Sequence, residues 1–195
     1  MEKEIDDDLL LKRLLVFLRD NEYIPKDGLF YYPGSGWHDV PLQVFGADKV
    51  YHLSKEETKG DPDVLRDPLF KGESAPPSQR KREIFEDGYF SQLRKTGAKY
   101  MIEGDYRETQ AIFEENKFAA TLIWGVPSET IIEALPELCR VTKINGLLIL
   151  GTDQLYMKEK WNQKEPIKEV LEQRNFPRVS LPEEFSLICV YRNSK

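Results

Sequence analysis

The chain has 195 residues, of which 40% are hydrophobic and 32% charged, and its formal net charge is -6. That length suits one domain, residues 1–195, with a sizeable core. The acidic balance argues against a dedicated nucleic-acid patch, which concentrates basic side chains on one face. No apolar run approaches the ~18–20 residues that cross a bilayer. The opening Glu2 to Asp8 has the wrong charge for a secretory leader. Cys139 and Cys189 lie in apolar segments and read as reduced core thiols, so a cytoplasmic location is expected. Two histidines and two scattered cysteines make no metal-ligand spacing, so no metal is expected.

In chain order, residues 1–24 carry an N-terminal helix from Ile5 to about Asn21. Ile5, Leu9, Leu14 and Leu18 fall near helical spacing, and Asp6 to Asp8 stand where a helix favours negative charge. Pro25 and Asp27-Gly28 end it. Leu29 to Tyr32 is a buried strand that runs into Pro33-Gly34-Ser35-Gly36-Trp37-His38-Asp39, and a short helix follows near Val40 to Phe45. Two glycines bend the backbone sharply and let it approach a ligand, because neither carries a Cβ. A helix start beyond them aims free N–H groups at that ligand. Gly-x-Gly alone also occurs in plain turns, and the longer G-x-G-x-x-G signature is not completed.

Lys49 to Leu53 reads as a second strand. Residues 55–79 are rich in turn formers and read as a long mobile loop or lid. A helix is predicted from about Ser78 to Lys95. Its start, Arg80-Lys81-Arg82, is followed by Glu83, Glu86 and Asp87 and reads as solvated. Lys99 to Glu103 is a third strand, and Asp105 to Glu115 reads as helical. Ala119 to Val126 is almost wholly apolar, as in a strand covered on both faces. A helix then runs from Ser128 to about Lys143 with a disturbance at Pro136. Gly146 to Leu150 is a fifth strand, Gln163 to Arg174 a polar helix, and Val179 to Tyr191 a closing hairpin turned at Pro182-Glu183-Glu184. The alternation from Leu29 to Leu150 indicates an α/β fold, a mostly parallel sheet with helices on both faces.

Three stretches, in this order, resemble class I S-adenosylmethionine-dependent methyltransferases: Tyr32 to Gly36 after the first strand, Glu103-Gly104-Asp105 after the third, and Cys139 to Leu150. The resemblance implies a Rossmann-like, doubly wound sheet of about seven strands with a C-terminal antiparallel hairpin. It implies S-adenosylmethionine as cofactor and a methyl acceptor that is a small molecule or a protein. It places Gly34, Ser35 and Gly36 against the cofactor's methionine and ribose region. Asp39 either meets the cofactor's amino group or caps the next helix. Ser54 stands where the family has an acid for the ribose hydroxyls. Asp105 falls where a carboxylate meets the adenine amino group, or else it caps the turn. Tyr106 and Trp124 offer flat apolar surfaces, and Trp124 equally suits the core. His38 is the candidate general base, because histidine changes charge near neutral pH. His52, alternating with Tyr51, reads as a satisfied core or rim residue. Two departures stand out: Tyr31-Tyr32-Pro33 replaces the acid before the glycines, and Ser54 replaces the acid after the second strand. They motivate one alternative, a methyltransferase-like binding module without turnover; a second, a nicotinamide-dependent oxidoreductase, is weakened by the incomplete glycine signature and by the absent acid about 20 residues on.

Overall fold

A computed structural model describes residues 7–35, 38–54, 88–107, 109–126, 128–151, 164–186 and 188–195. The expected 55–79 loop, Gly36, Trp37, Arg80-Lys81-Arg82 and the start of the 78–95 helix lie outside them. Among the described residues one sheet of six strands carries the fold: β1 (Phe30–Pro33), β2 (Val50–Ser54), β3 (Tyr100–Glu103), β4 (Phe118–Trp124), β5 (Thr142–Gly151) and β6 (Cys189–Arg192). Their spatial order is β3-β2-β1-β4-β5-β6, parallel except for the antiparallel β5–β6 pair. β1 and β4 are buried along their whole length, whereas the edge strand β3 has exposed ends. This gradient is why the central strands read as continuous apolar runs.

Helices cover both faces. On one face lie α1 (Asp7–Asp20), α2 (Val40–Phe45) and α3 (Tyr89–Lys95). Leu10, Leu11, Leu14, Leu15 and Leu18 form the buried stripe of α1, an apolar face at helical spacing. Glu22 takes a left-handed φ of 58° just past α1, and the Tyr23 amide donates back to the Leu18 carbonyl at 2.9 Å, closing the helix end. On the other face α4 (Ser128–Val141) and α5 (Lys164–Gln173) pack against Tyr31, Leu53, Ile123, Leu148 and Tyr191. No described helix is long and apolar enough to cross a membrane. Cys139 and Cys189 are both buried and form no disulfide, and burial pushes the Cys139 thiol up to about 11.

Several expectations need correction. The stretch Asp105 to Glu115 is not a helix; its described residues hold only a 3₁₀ turn at Thr109–Ala111. The Asp105 side chain accepts the Arg107 amide at 2.9 Å, a bond of the N-cap kind, yet only this short 3₁₀ turn follows. The closing hairpin is reduced. Arg178 makes one isolated bridge to Tyr191, and the segment meant to be its turn holds a 3₁₀ turn at Glu183–Phe185. This leaves six described strands rather than about seven. β5 starts at Thr142, before the apolar run, because the buried Thr142 hydroxyl bonds both Thr121 Oγ1 at 2.8 Å and the Leu138 carbonyl at 2.6 Å. Pro136 sits inside α4 without ending it.

Candidate functional site

Ligands of open α/β sheets bind beyond the carboxyl ends of the strands, where the chain changes direction across the sheet. Here that switch lies between β1 and β4, and three segments leaving the strands meet there. Gly34 follows β1 with φ +64°, a conformation L side chains adopt at a cost. A Cβ built on it would come within 3.4 Å of Val126 Cγ2, after β4, and 3.6 Å of Tyr106 Cε1, after β3. Gly34, Tyr106 and Val126 therefore lie close together, and a Cβ on Gly34 would stand in contact with both neighbours. Backbone bonds fix the rims: the Gly34 amide donates to Leu53 O at 2.8 Å and the Gly104 amide to Ser54 O at 2.9 Å. Ser54 itself is buried at the end of β2.

Beneath the corner lies a polar chain. Ser35 is buried, and its hydroxyl is 3.0 Å from Nδ1 of the fully buried His52. His52 Nε2 has no hydrogen-bond partner among the described residues. Burial first, and His38 second, lower the His52 pKa from 6.5 to about 4, so the ring is neutral at pH 7. Tyr32 lies opposite His52 in the parallel register, with ring centroids 5.9 Å apart. The Tyr32 hydroxyl is 2.9 Å from His38 Nδ1, and His38 Nε2 bonds Asp8 of α1. Burial, then Asp8, raises the Tyr32 phenol well above its ordinary range. His38, the candidate base, thus has both ring nitrogens engaged and ties the corner to α1.

Asp39 occupies the N-cap position of α2. Its backbone carbonyl accepts the Gln43 amide, and its side chain accepts Gln43 Nε2 at 3.3 Å, with no side-chain bond to the helix backbone. On the other rim Asp105 is paired with Arg107, which also reaches Glu133 of α4. Trp124 is 9% exposed and lies flat on β5: a Cβ on Gly151 would stand 2.1 Å from its ring. Trp124 packs into the cluster shared with α1 and α2, the core role weighed against a ligand-facing one. The structure so brings Gly34, Ser35, His38 and Tyr106 to one end of the sheet. His52, Asp8, Arg107 and Val126 are members of this end that sequence reasoning missed. Each is there through strand register or a long-range contact, and only the Tyr51-His52 alternation hinted at any of them.

No protein-family model and no curated protein matches the chain. Solved structures do. A rRNA methylase from Streptococcus thermophilus superposes with a TM-score of 0.55 at 12% identity, covering 98% of this chain and 99% of that one. The N-methyltransferase NodS from Bradyrhizobium japonicum gives a TM-score of 0.52 at 11% identity over 98% of this chain and 100% of that one. A precorrin 8w decarboxylase from Methanobacterium thermoautotrophicum gives 0.55 at 13% identity over 98% and 91%. At such identities the likeness concerns the fold, and the chain has the class I methyltransferase fold.

Proposed function

We propose that the crevice between Gly34, Tyr106 and Val126 binds S-adenosylmethionine and that the chain is a methyltransferase. The single observation that carries this reading is the meeting of three strand-end segments at the left-handed Gly34, whose missing Cβ lets backbone come close to a ligand there. The cofactor supplies an activated methyl group on a sulfonium. The chain's own work is then mostly positioning of donor and acceptor, which agrees with the lack of a catalytic triad among the described residues. Gly34 and Ser35 bring backbone close to the ligand, and Gly36, next in sequence, is expected to join them. Tyr106 offers an apolar face, Asp105 and Ser54 offer acceptor oxygens, and Asp39 a carboxylate at the α2 start. Trp124 backs the site from the core. His38 acts through Tyr32 and Asp8 to hold the corner in shape, with proton transfer the lesser role because both nitrogens are already bonded. The substrate class is a small molecule or a protein, and the site of work is cytoplasmic.

A second reading, a binding module without turnover, is favoured by one observation: the Asp105 carboxylate is paired within the chain and Ser54 replaces an acid. That the same fold is found in a protein named a decarboxylase makes binding the property to test before turnover. Calorimetric and thermal titrations with S-adenosylhomocysteine, S-adenosylmethionine and NAD separate the readings. A ligand at a hundred times its Kd raises stability by about 2.7 kcal/mol. The expected result is a melting shift with the two sulfur compounds, none with NAD, and loss of binding in a folded Gly34→Val variant. A shift with NAD alone points to the oxidoreductase. No shift with either sulfur compound at millimolar concentration, or unchanged binding by Gly34→Val, overturns the proposal.

A further inference from the structure

We infer that Arg107 is a positioning residue that gates the crevice by competing with the bound ligand for the Asp105 carboxylate. The inference rests on the ligand-binding reading of the Gly34–Tyr106–Val126 space. Asp105 and Arg107 flank Tyr106, the residue that faces Gly34. The Asp105 side chain is 18% exposed, so it reaches the rim of the crevice. Both of its oxygens are engaged by the same neighbour. Oδ1 accepts the Arg107 amide at 2.9 Å and Nε at 2.9 Å; Oδ2 accepts Nη2 at 2.6 Å and Nε at 3.1 Å. A carboxylate has about four acceptor directions, and three Arg107 donors, with Nε shared between the two oxygens, take up most of them. A ligand donor arriving along Tyr106 therefore meets an acceptor already in use.

The arrangement also shows how the gate opens. The Arg107 guanidinium bridges Asp105 and α4, with Nη1 donating to Glu133 Oε2 at 2.9 Å. When the fork leaves Asp105, Glu133 remains as an anchor, and the positive charge keeps a partner. Glu133 is 60% and Arg107 38% exposed, so both side chains have room to move. Exposed ion pairs are weak, and the closed form reduces apparent affinity only by the fraction of molecules it holds. The expected penalty on ligand binding is about fivefold.

The test is calorimetric titration of the full chain with S-adenosylhomocysteine, a ligand without net charge, in wild type and Arg107→Gln, at low and high salt. Removing the competitor is expected to tighten binding by about fivefold, an effect that loss of a merely structural contact does not produce. Salt screens the exposed pair, so wild-type affinity is expected to rise with ionic strength, and Arg107→Gln to lose that dependence. Circular dichroism confirms that the variant is folded, and the wild-type salt series stands by itself if it is not. Binding by Arg107→Gln but not by wild type is the extreme form of the expected result. Equal or weaker binding by the variant, or wild-type affinity that falls with salt, overturns the gate while leaving the crevice assignment intact. Absence of binding in both proteins overturns the crevice assignment and the gate with it.

Discussion

His52 is the residue whose burial is hardest to explain by packing. An imidazole held without a partner for one ring nitrogen carries a desolvation cost of about 1–3 kcal/mol. It also makes stability depend on pH. Its folded pKa, about 4, lies below the ordinary value of 6.5, so the unfolded chain binds the proton more readily. Stability from this group is fully present above pH 6.5, falls as pH drops from 6.5 towards 4, and levels off below that. The loss between pH 7.5 and pH 5 is about 2 kcal/mol. Urea unfolding of wild type and His52→Gln at the two values is expected to show a fall in wild type larger by that amount; parallel pH dependence contradicts it. The sequence put His52 in a strand but could not show this state. Its neighbours Ser35 and Tyr32 reach it through the β1–β2 register, and pairing between parallel strands leaves no local signature in one sequence. The turn at Gly34 was legible, because a glycine between a strand and a helix suits the left-handed φ of 64° found there. Asp105 was legible as a rim residue, but its pairing with Arg107 was not, because such a bond depends on a turn two residues long.

Elements were legible where their periodicity is strong. α1 follows from its leucines and β4 from its unbroken apolar run, since a helix stripe and a doubly covered strand each repeat at their own period. The segment after β3 was misread because its end signals are those of a helix: Asp105 bonds the Arg107 amide and Asn116 adopts a left-handed φ of 54°, while the described residues between them hold only a 3₁₀ turn. The closing hairpin was half right. β6 pairs with β5 as read, but its other partner contributes only the Arg178 bridge. α1 bears on function through its contact with the corner, and that contact requires it to be part of the core rather than an appendage. Leu14 lies fully buried in its stripe. Leu14→Ala is expected to lower unfolding free energy by about 2–5 kcal/mol in chemical denaturation. A loss below about 1 kcal/mol would show that α1 is peripheral.

At the scale of the molecule, the two faces of the sheet divide the labour. One buries Tyr32 and links it through His38 to the exposed Asp8 of α1, and the other buries Tyr31 and the aromatic cluster with Phe113 and Phe118. Among the described residues, the carboxyl end of the sheet gathers a left-handed glycine, a buried imidazole nitrogen without a hydrogen-bond partner and a paired carboxylate, and these support the proposed site. The opposite end holds a cavity lined by Arg19, Lys26, Phe45 and Lys49, a charged hollow of a different kind. A crystal structure of the chain with S-adenosylhomocysteine tests the central claim most directly. The account predicts ligand density in contact with Gly34, Tyr106 and Val126. Density in the cavity at the opposite end, or an empty crevice at saturating ligand, would contradict it.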